Sequence, residues 1–357
     1  MGTFQPGMVI HPGRTLEDEL DYYGVTQKWL AERTGLTEKH ISDIINEKVN
    51  ISADVATRLA NVFGGSASFW INLDANYRAD KARMEARHNA EAEVDYLDKI
   101  PYKVLEVAGY VEKTSDKIDQ VLNMQRFFGV NALNLVLKSQ SVAFRKSKHA
   151  HPINPYLIAA WLRHGEIEAM RLQSVEDYDS DKLRAAMLEI RKMTRMDVGE
   201  AIDSIKNILF SCGVILVVSK FLNGTYINGA TRWIGRNPMI QLSDRGKRDD
   251  ILWFTLFHEI GHILLHSKKD SFIEIEDVEQ DEEKELAADN FAKEYLIPDV
   301  QYNIFIDECG GVISKERIIE YSNRIDIAPS ILLGRLQREH KVAYRQYGDL
   351  HRLFTVS

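Results

Sequence analysis

The sequence predicts an α+β protein built from an N-terminal all-α domain and a mostly helical second domain with a small β-sheet. Three observations carry this prediction. Residues 15 to 77 break into five short helical segments separated by turn punctuation, too many for one amphipathic rod and about right for a small helical domain. Three runs, Val214 to Val218, Gly224 to Trp233 and Pro238 to Ser243, read as strands around Gly and Asn turns. Directly after them, Phe254 to His266 and Glu282 to Pro298 carry helical spacing, so a sheet packed on helices follows. With 357 residues, 45% of them hydrophobic, the chain is long enough for two cores. The predicted boundaries are 1–80 for the first domain, 81–205 for a helical linker and helical subdomain, and 206–357 for the second domain.

In the first domain, Thr26-Gln27 opens a helix through Leu30, Ala31 and Glu32, and Gly35 makes a tight turn. Thr37 then caps a second helix through Ile41, Ser42, Ile44 and Ile45 to Asn46. This is a helix-turn-helix, and its second helix is expected to enter a major groove. Thr37, Glu38, Lys39, His40, Ser42 and Asp43 are placed to reach base edges, and Gln27 and Lys48 to reach phosphates. An ordinary solvated face is the plain alternative, and charge gives it weight. Residues 1 to 80 hold seven Lys and Arg against eleven Asp and Glu, a net of −4, unusual for strong phosphate binding. Binding to a double-stranded DNA operator is therefore expected to be modest per monomer and to depend on a homodimer. Use of the same helices for protein docking is the competing reading.

The middle of the chain says least. Ala82 to Ala92 is charged and Ala-rich, as a helical linker would be, and Leu105 to Phe128, Pro155 to Leu172 and Asp181 to Met193 carry helix-like spacing. Phe144 to His149 is a small basic cluster, read first as a surface patch.

The most informative stretch is Phe254 to His266. It sets His258, Glu259 and His262 inside an otherwise apolar helix made by Trp253, Phe254, Leu256, Phe257, Ile260, Ile263, Leu264 and Leu265. On a helix, His258 and His262 lie one turn apart on one face, so two imidazoles can reach one Zn2+ ion. Glu259 stands beside them, placed to hold the attacking water and take its proton. Burying these groups without a partner costs several kcal/mol, which a bound metal offsets. Two core histidines satisfied by backbone carbonyls form the bland alternative.

A third ligand is expected from the segment Glu282 to Pro298, which reads as a helix ended by Pro298. Glu285 and Asp289 share one face there: Glu285 can bind the ion, and Asp289, one turn on, can hydrogen-bond a ligating histidine. Glu282 and Glu283 compete, but they lie in a polar run, whereas Glu285 abuts small residues that let two helices approach. His266 extends the histidine series, yet eight helical residues put it about 12 Å from His258, too far to share one zinc. A metzincin pattern also fails, because Leu265 stands where its glycine would be and Lys268 where its third histidine would be.

With these residues in place, the stretch from about Val214 to Pro298 resembles the ImmA/IrrE family of zinc metallopeptidases. Its marks are an FHEIGHILLH helix followed by an ExxADxFAxxxLIP helix. The resemblance implies a zincin-like, gluzincin-type fold, with His258, His262 and Glu285 as ligands of one Zn2+, Glu259 as general base, and cleavage of helix-turn-helix repressors. Asp289 stands where that family often has Asn, which keeps a hydrogen-bonding side chain. The first 78 residues resemble the Xre type of helix-turn-helix and the HigA family of plasmid-maintenance antidotes. Besides the helix pair, the marks are His11-Pro12-Gly13 and the run from Ser68 to Tyr77.

Residues 249 to 300 hold four basic against fifteen acidic side chains, so Asp270 to Glu285 is an acidic connection between the two metal helices. It is either a solvated loop or a feature favouring basic substrates. The segment Pro238 to Ser243 is the expected edge strand for adding an extended peptide. After the metal helices, Ile325 to His340 looks like a closing helix, with Ser330 as a candidate cap. Arg335 and His340 are weak candidates for stabilising the oxyanion, and helix-surface charge is the plainer reading. Cys212 and Cys309 form no disulfide framework, no apolar run approaches the ~20 residues of a membrane span, and no signal leads the N-terminus. A cytoplasmic protein without membrane contact is expected. The sequence thus points to a DNA-binding regulator that hydrolyses a peptide bond in a repressor or antitoxin, itself included. The alternative is a HigA-like antitoxin that binds DNA and a toxin partner, with a structural or inactive zinc site.

Overall fold

The computed structural model describes residues 10–139, 154–172, 176–266, 272–275 and 282–355. The basic cluster at 144–149 and half of the acidic connection from 270 to 285 lie outside the described residues. Two compact units result: Met1–Val94 with Asp116–Leu122, and Asp95–Ser115 with Asn123–Ser357.

The first unit holds five helices, α1 (Pro12–Tyr23), α2 (Gln27–Thr34), α3 (Glu38–Ile45), α4 (Ala53–Phe63) and α5 (Ala67–Glu91). Local chemistry sets their ends. Thr26, Thr37, Ser52 and Ser66 each accept a hydrogen bond from a backbone N–H of the following first turn. Gly35 ends α2 at φ 71°, the left-handed conformation that turns the chain into α3. Leu16, Leu30, Ile41, Ile44, Leu59 and Trp70 are buried together, each contributing about 1.5–3 kcal/mol by leaving water. Buried Asp74 accepts from the Ile51 N–H at 3.0 Å and pairs with Arg78 at 2.8 Å, tying α5 to the turn before α4. The stretch expected as a helical linker leaving the first domain, Ala82 to Ala92, continues α5 to its end at Glu91, because nothing between Ala67 and Glu91 breaks a helix.

Beyond α5 the chain forms α6 (Tyr102–Val107), α7 (Lys117–Phe128), α8 (Val136–Ser139), α9 (Pro155–Arg171), α10 (Ser180–Lys192) and α11 (Val198–Ser211) before the sheet. The spacing from Leu105 to Phe128, which suggests continuous helix, resolves into α6 and α7, with Gly109 at φ 78° in the break. Strands β1 (Ile215–Ser219), β2 (Ile227–Ile234), β3 (Asn237–Ser243) and β4 (Phe272–Ile275) lie in the order β1-β3-β2-β4. Strand β3 runs parallel to β1, and β2 is antiparallel to both β3 and β4.

The segment Pro238 to Ser243 is therefore an interior strand, contrary to the expectation of an edge. Its residues are buried on both faces, the pattern of a strand covered from both sides. Strand β4 belongs to the stretch that the sequence presents as a loop-like connection. Helix α12 (Asp249–Leu265) packs on β2 and β3, and α9 packs on β1, β2 and β3. They lie on opposite faces. Thr231 of β2 meets α12 and stands beside Ile240, whereas the next residue, Gln241, donates to the Trp161 carbonyl of α9 at 2.8 Å.

Helices α13 (Glu282–Leu296), α14 (Asp299–Cys309), α15 (Lys315–Arg324) and α16 (Pro329–Arg338) complete this unit. Trp253, Leu256, Phe257 and Ile260 of α12 share its core with Phe305, Leu332 and Leu336. Ser330 does not cap α16: its buried hydroxyl donates to Asp249 Oδ2 at 2.7 Å, and Ala328 holds the cap position.

Candidate metal centre and helix-turn-helix surface

Helix α12 is apolar almost all round and buried over most of its length, which drags His258, Glu259 and His262 inside with it. Helix α13 can lie close alongside because small residues face each other. A Cβ on Gly261 would stand 3.3 Å from the Ala288 Cα and 3.1 Å from the Phe291 ring. This approach brings Glu285 to the histidines. His258 Nε2 lies 2.9 Å from His262 Nε2 and 3.2 Å from Glu285 Oε2, and His262 Nε2 lies 3.6 Å from the same oxygen.

These spacings suit a cation. A tetrahedral ion bound at about 2.0–2.1 Å holds its ligand atoms about 3.3 Å apart, and the three donors here cluster around that value. Three protein ligands leave a fourth position open. Protonation states also suit a metal, which needs neutral imidazole and ionised carboxylate. Burial holds the His262 imidazole below its usual pKa, against the pull of Glu285. For Glu285, burial pushes the carboxyl up, but hydrogen bonds with His258 and His262 outweigh it and bring it down to about 2. His258, His262 and Glu285 thus form a candidate metal-ligand group.

Asp289 Oδ1 lies 3.0 Å from His258 Nδ1, on the ring edge away from the donor cluster. Burial raises its carboxyl, yet the His258 hydrogen bond and the Arg338 charge hold it below the usual range. Arg338, which the sequence did not single out, donates to Asp289 Oδ2 at 3.4 Å and lies 4.9 Å over the Phe254 ring. Glu259 points from the same helix toward β2, where the buried Thr231 hydroxyl donates to its Oε2 at 2.6 Å. Thr231 was also missed. Strand alternation marks it as facing one way, but only the packing of β2 on α12 shows what it faces.

His266 ends α12 outside the donor cluster, with its Nε2 3.2 Å from the Lys284 carbonyl. Arg335 lies over the Tyr302 ring at 3.9 Å and is bound to the Ile297 carbonyl, Asp299 and Glu339. His340 is exposed beyond the end of α16. A second acidic group, Asp249, Asp250 and His351, also brings donor atoms together. There Arg248 pairs with Asp250 at 2.6 Å and Arg352 with Asp249 at 2.8 Å, so both carboxylates are already neutralised and the group ties the C-terminal segment to the start of α12.

On the helix-turn-helix, Thr37 Oγ1 accepts from the His40 N–H at 3.1 Å and fixes the start of α3. Thr37, Glu38 and Lys39 are exposed at that start, and Gln27, His40, Ser42 and Asp43 are half-buried. Lys48 lies 3.9 Å from Asp43, so two residues expected at DNA face each other, and Asn46 donates to the Ser42 carbonyl and hydroxyl at 2.8 and 3.1 Å.

Fold and site together define a helix-turn-helix protein that also carries a metallopeptidase-type domain. Residues 23–70 match the helix-turn-helix family, and residues 215–308 match the M78 peptidase family, described as an IrrE N-terminal-like domain. Virulence-associated protein I of Dichelobacter nodosus is 35% identical over 77 residues, which are 21% of this chain and 71% of that protein. Virulence-associated protein A' of the same organism is 37% identical over 83 residues, 21% of this chain and 72% of its own. The chain belongs to the helix-turn-helix family of these proteins and carries in addition a domain of the M78 peptidase family. Among solved structures, an addiction module antidote of the HigA family from Coxiella burnetii is 32% identical, covering 24% of this chain and 94% of that one at a TM-score of 0.23. The Pseudomonas aeruginosa antitoxin HigA, solved with the higBA promoter, is 36% identical, covering 24% and 95%, also at 0.23.

Proposed function

We propose that this protein is a DNA-binding regulator with zinc-dependent endopeptidase activity against a regulatory protein, a repressor or antitoxin, or a second copy of itself. The convergence of His258 Nε2, His262 Nε2 and Glu285 Oε2 carries this reading. When bound, zinc supplies a Lewis acid that polarises the scissile carbonyl and acidifies water. Glu259 accepts the proton of the attacking water and returns it to the nitrogen of the leaving amine. Asp289 orients the His258 ring through Nδ1. In the first unit, α3 presents Thr37, Glu38, Lys39, His40, Ser42 and Asp43 to a major groove, with Gln27 and Lys48 toward phosphates and two copies reading a two-fold operator.

One observation favours a second reading. The first 80 residues carry a net charge of −4, and Lys48 is engaged by Asp43, which suits a partner-docking antitoxin with a structural metal site. Glu259→Gln separates the two readings, because that side chain is not among the converging donors. The wild type and the variant are each expressed beside the proteins of neighbouring genes, and mass spectrometry is used to seek new fragments. The peptidase reading expects a fragment that vanishes with Glu259→Gln at unchanged zinc content. Full zinc occupancy with no Glu259-dependent fragment, of any candidate or of the chain itself, supports the antitoxin reading.

A further inference from the structure

The packing of β2 against α12 places two small residues of one strand face beside the Glu259 carboxylate. Thr231 and Gly229 are two apart, so both point at the helix. Thr231 Oγ1 lies 2.6 Å from Glu259 Oε2 and 3.2 Å from the Glu259 carbonyl oxygen. A hydroxyl has one proton, and the shorter bond, to Oε2, takes it. Gly229 lies against the other carboxylate oxygen: a Cβ there would stand 2.5 Å from Glu259 Oε1 and equally close to Thr255 Cγ2. Glu259 is fully buried, Thr231 is 1% exposed, and the Thr231 backbone is paired to Ile240 on one side and Phe272 on the other. The hydroxyl is thus mounted on an interior strand, on a β-branched side chain with restricted χ1.

We propose that Thr231 is the positioning residue of the general base: it holds Oε2 and, with the Cβ-free Gly229 against Oε1, fixes the plane of the Glu259 carboxylate. This rests on the peptidase reading above. In that reading, one O–H bond of the attacking water breaks, its proton goes to the Glu259 carboxylate, and the water oxygen bonds to the carbonyl carbon. When the C–N bond then breaks, that proton moves to the amine nitrogen, so Glu259 ends as it began. Thr231 keeps its own proton throughout. A carboxylate free to rotate would present either oxygen at varying distance, and a misplacement on the order of 1 Å at a reacting group lowers rate by up to about 100-fold.

The test uses the full chain loaded with zinc: wild type, Thr231→Val, which removes the donor at similar volume, Thr231→Ser, which restores it, and Gly229→Ala. Metal content is measured by mass spectrometry and carboxylate position by crystallography. The proposal expects one zinc in all four. It also expects the Glu259 carboxylate to rotate in Thr231→Val, return in Thr231→Ser, and be pushed at Oε1 in Gly229→Ala. On a peptide spanning any Glu259-dependent cleavage point, Thr231→Val lowers kcat roughly 10- to 100-fold with KM unchanged, and serine recovers most of it. A zinc-loaded wild type whose Glu259 does not contact Thr231, or an unmoved carboxylate in Thr231→Val, overturns the proposal while leaving the peptidase reading intact. Should Thr231→Val not fold, the serine and Gly229→Ala structures decide in the same way. A wild type that takes up no zinc overturns the peptidase reading itself, and this assignment with it.

Discussion

The two units carry their functional residues in opposite ways. In the first, the groups of interest stand on the surface of α3, where Thr37, Glu38 and Lys39 meet solvent and each contributes a little. In the second, His258, Glu259 and His262 are at most 2% exposed and held by neighbours on α13 and β2. The difference teaches how each site tolerates change. A surface that reads a partner through many weak contacts loses affinity gradually. A buried donor cluster depends on sub-ångström placement of two helices, so one methyl group in the wrong place is felt at the donor atoms.

The largest effect expected from a residue outside the donor cluster is at Gly261. Gly261→Val drives branched methyls into Phe291 and the Ala288 backbone, and overpacking of that kind costs about 1–3 kcal/mol. Isothermal titration with zinc is expected to show affinity reduced at least 100-fold, together with a lower Tm. Unchanged zinc affinity in Gly261→Val removes the claim that close helix approach sets the site. Next is Asp289→Ala, which frees the His258 ring and is expected to weaken zinc binding about 10- to 100-fold in the same titration. A change below twofold means the carboxylate does not orient the ligand.

Smaller again is Asp250→Asn, a test of the network that ties the C-terminal segment to the start of α12. Burial raises the Asp250 carboxyl, but hydrogen bonds with His351 and Arg248 outweigh it, leaving the folded value below its usual 3.8. A depressed carboxyl stabilises the fold above the unfolded value and loses that contribution as pH falls through the folded one. The variant is therefore expected to unfold more easily near neutral pH, by about 1–3 kcal/mol given that Arg248 keeps some solvent. The gap should close below about pH 4. Denaturant melts at two pH values check this, and a gap that persists in acid contradicts it. The smallest effect belongs to the exposed face. Lys48→Ala should weaken operator binding several-fold and uniformly across sequences, with the salt slope reduced by about 1 in fluorescence titrations. A loss confined to one base position would instead make Lys48 a base reader.

How much was legible in the sequence follows the same division. The helix pair of the first unit could be read to within a residue or two, because Thr26, Gly35 and Thr37 act locally on the backbone. The grouping of His258 and His262 with Glu285 was legible because helical spacing alone puts the first two on one face and small residues mark where α13 approaches. Tertiary pairing was not. The order β1-β3-β2-β4 puts Pro238 to Ser243 in the interior: β2 pairs with it as a hairpin, but its second neighbour, β1, is not adjacent in sequence, and no spacing rule reveals that pairing. Thr231 and Arg338 escaped for the same reason: each meets the site from an element tens of residues away and carries no pattern of its own. On the helix-turn-helix, the Asp43–Lys48 pair brings together two residues expected at DNA, since a residue beyond the end of α3 folds back onto its side chains.

The most direct test of the central claim is the zinc content of the purified full-length chain, measured by mass spectrometry for wild type, Glu259→Gln, His262→Ala and Glu285→Ala after dialysis against a weak chelator. The account predicts one zinc per chain in the first two and essentially none in the last two. Full zinc in His262→Ala or Glu285→Ala, or none in the wild type, contradicts it.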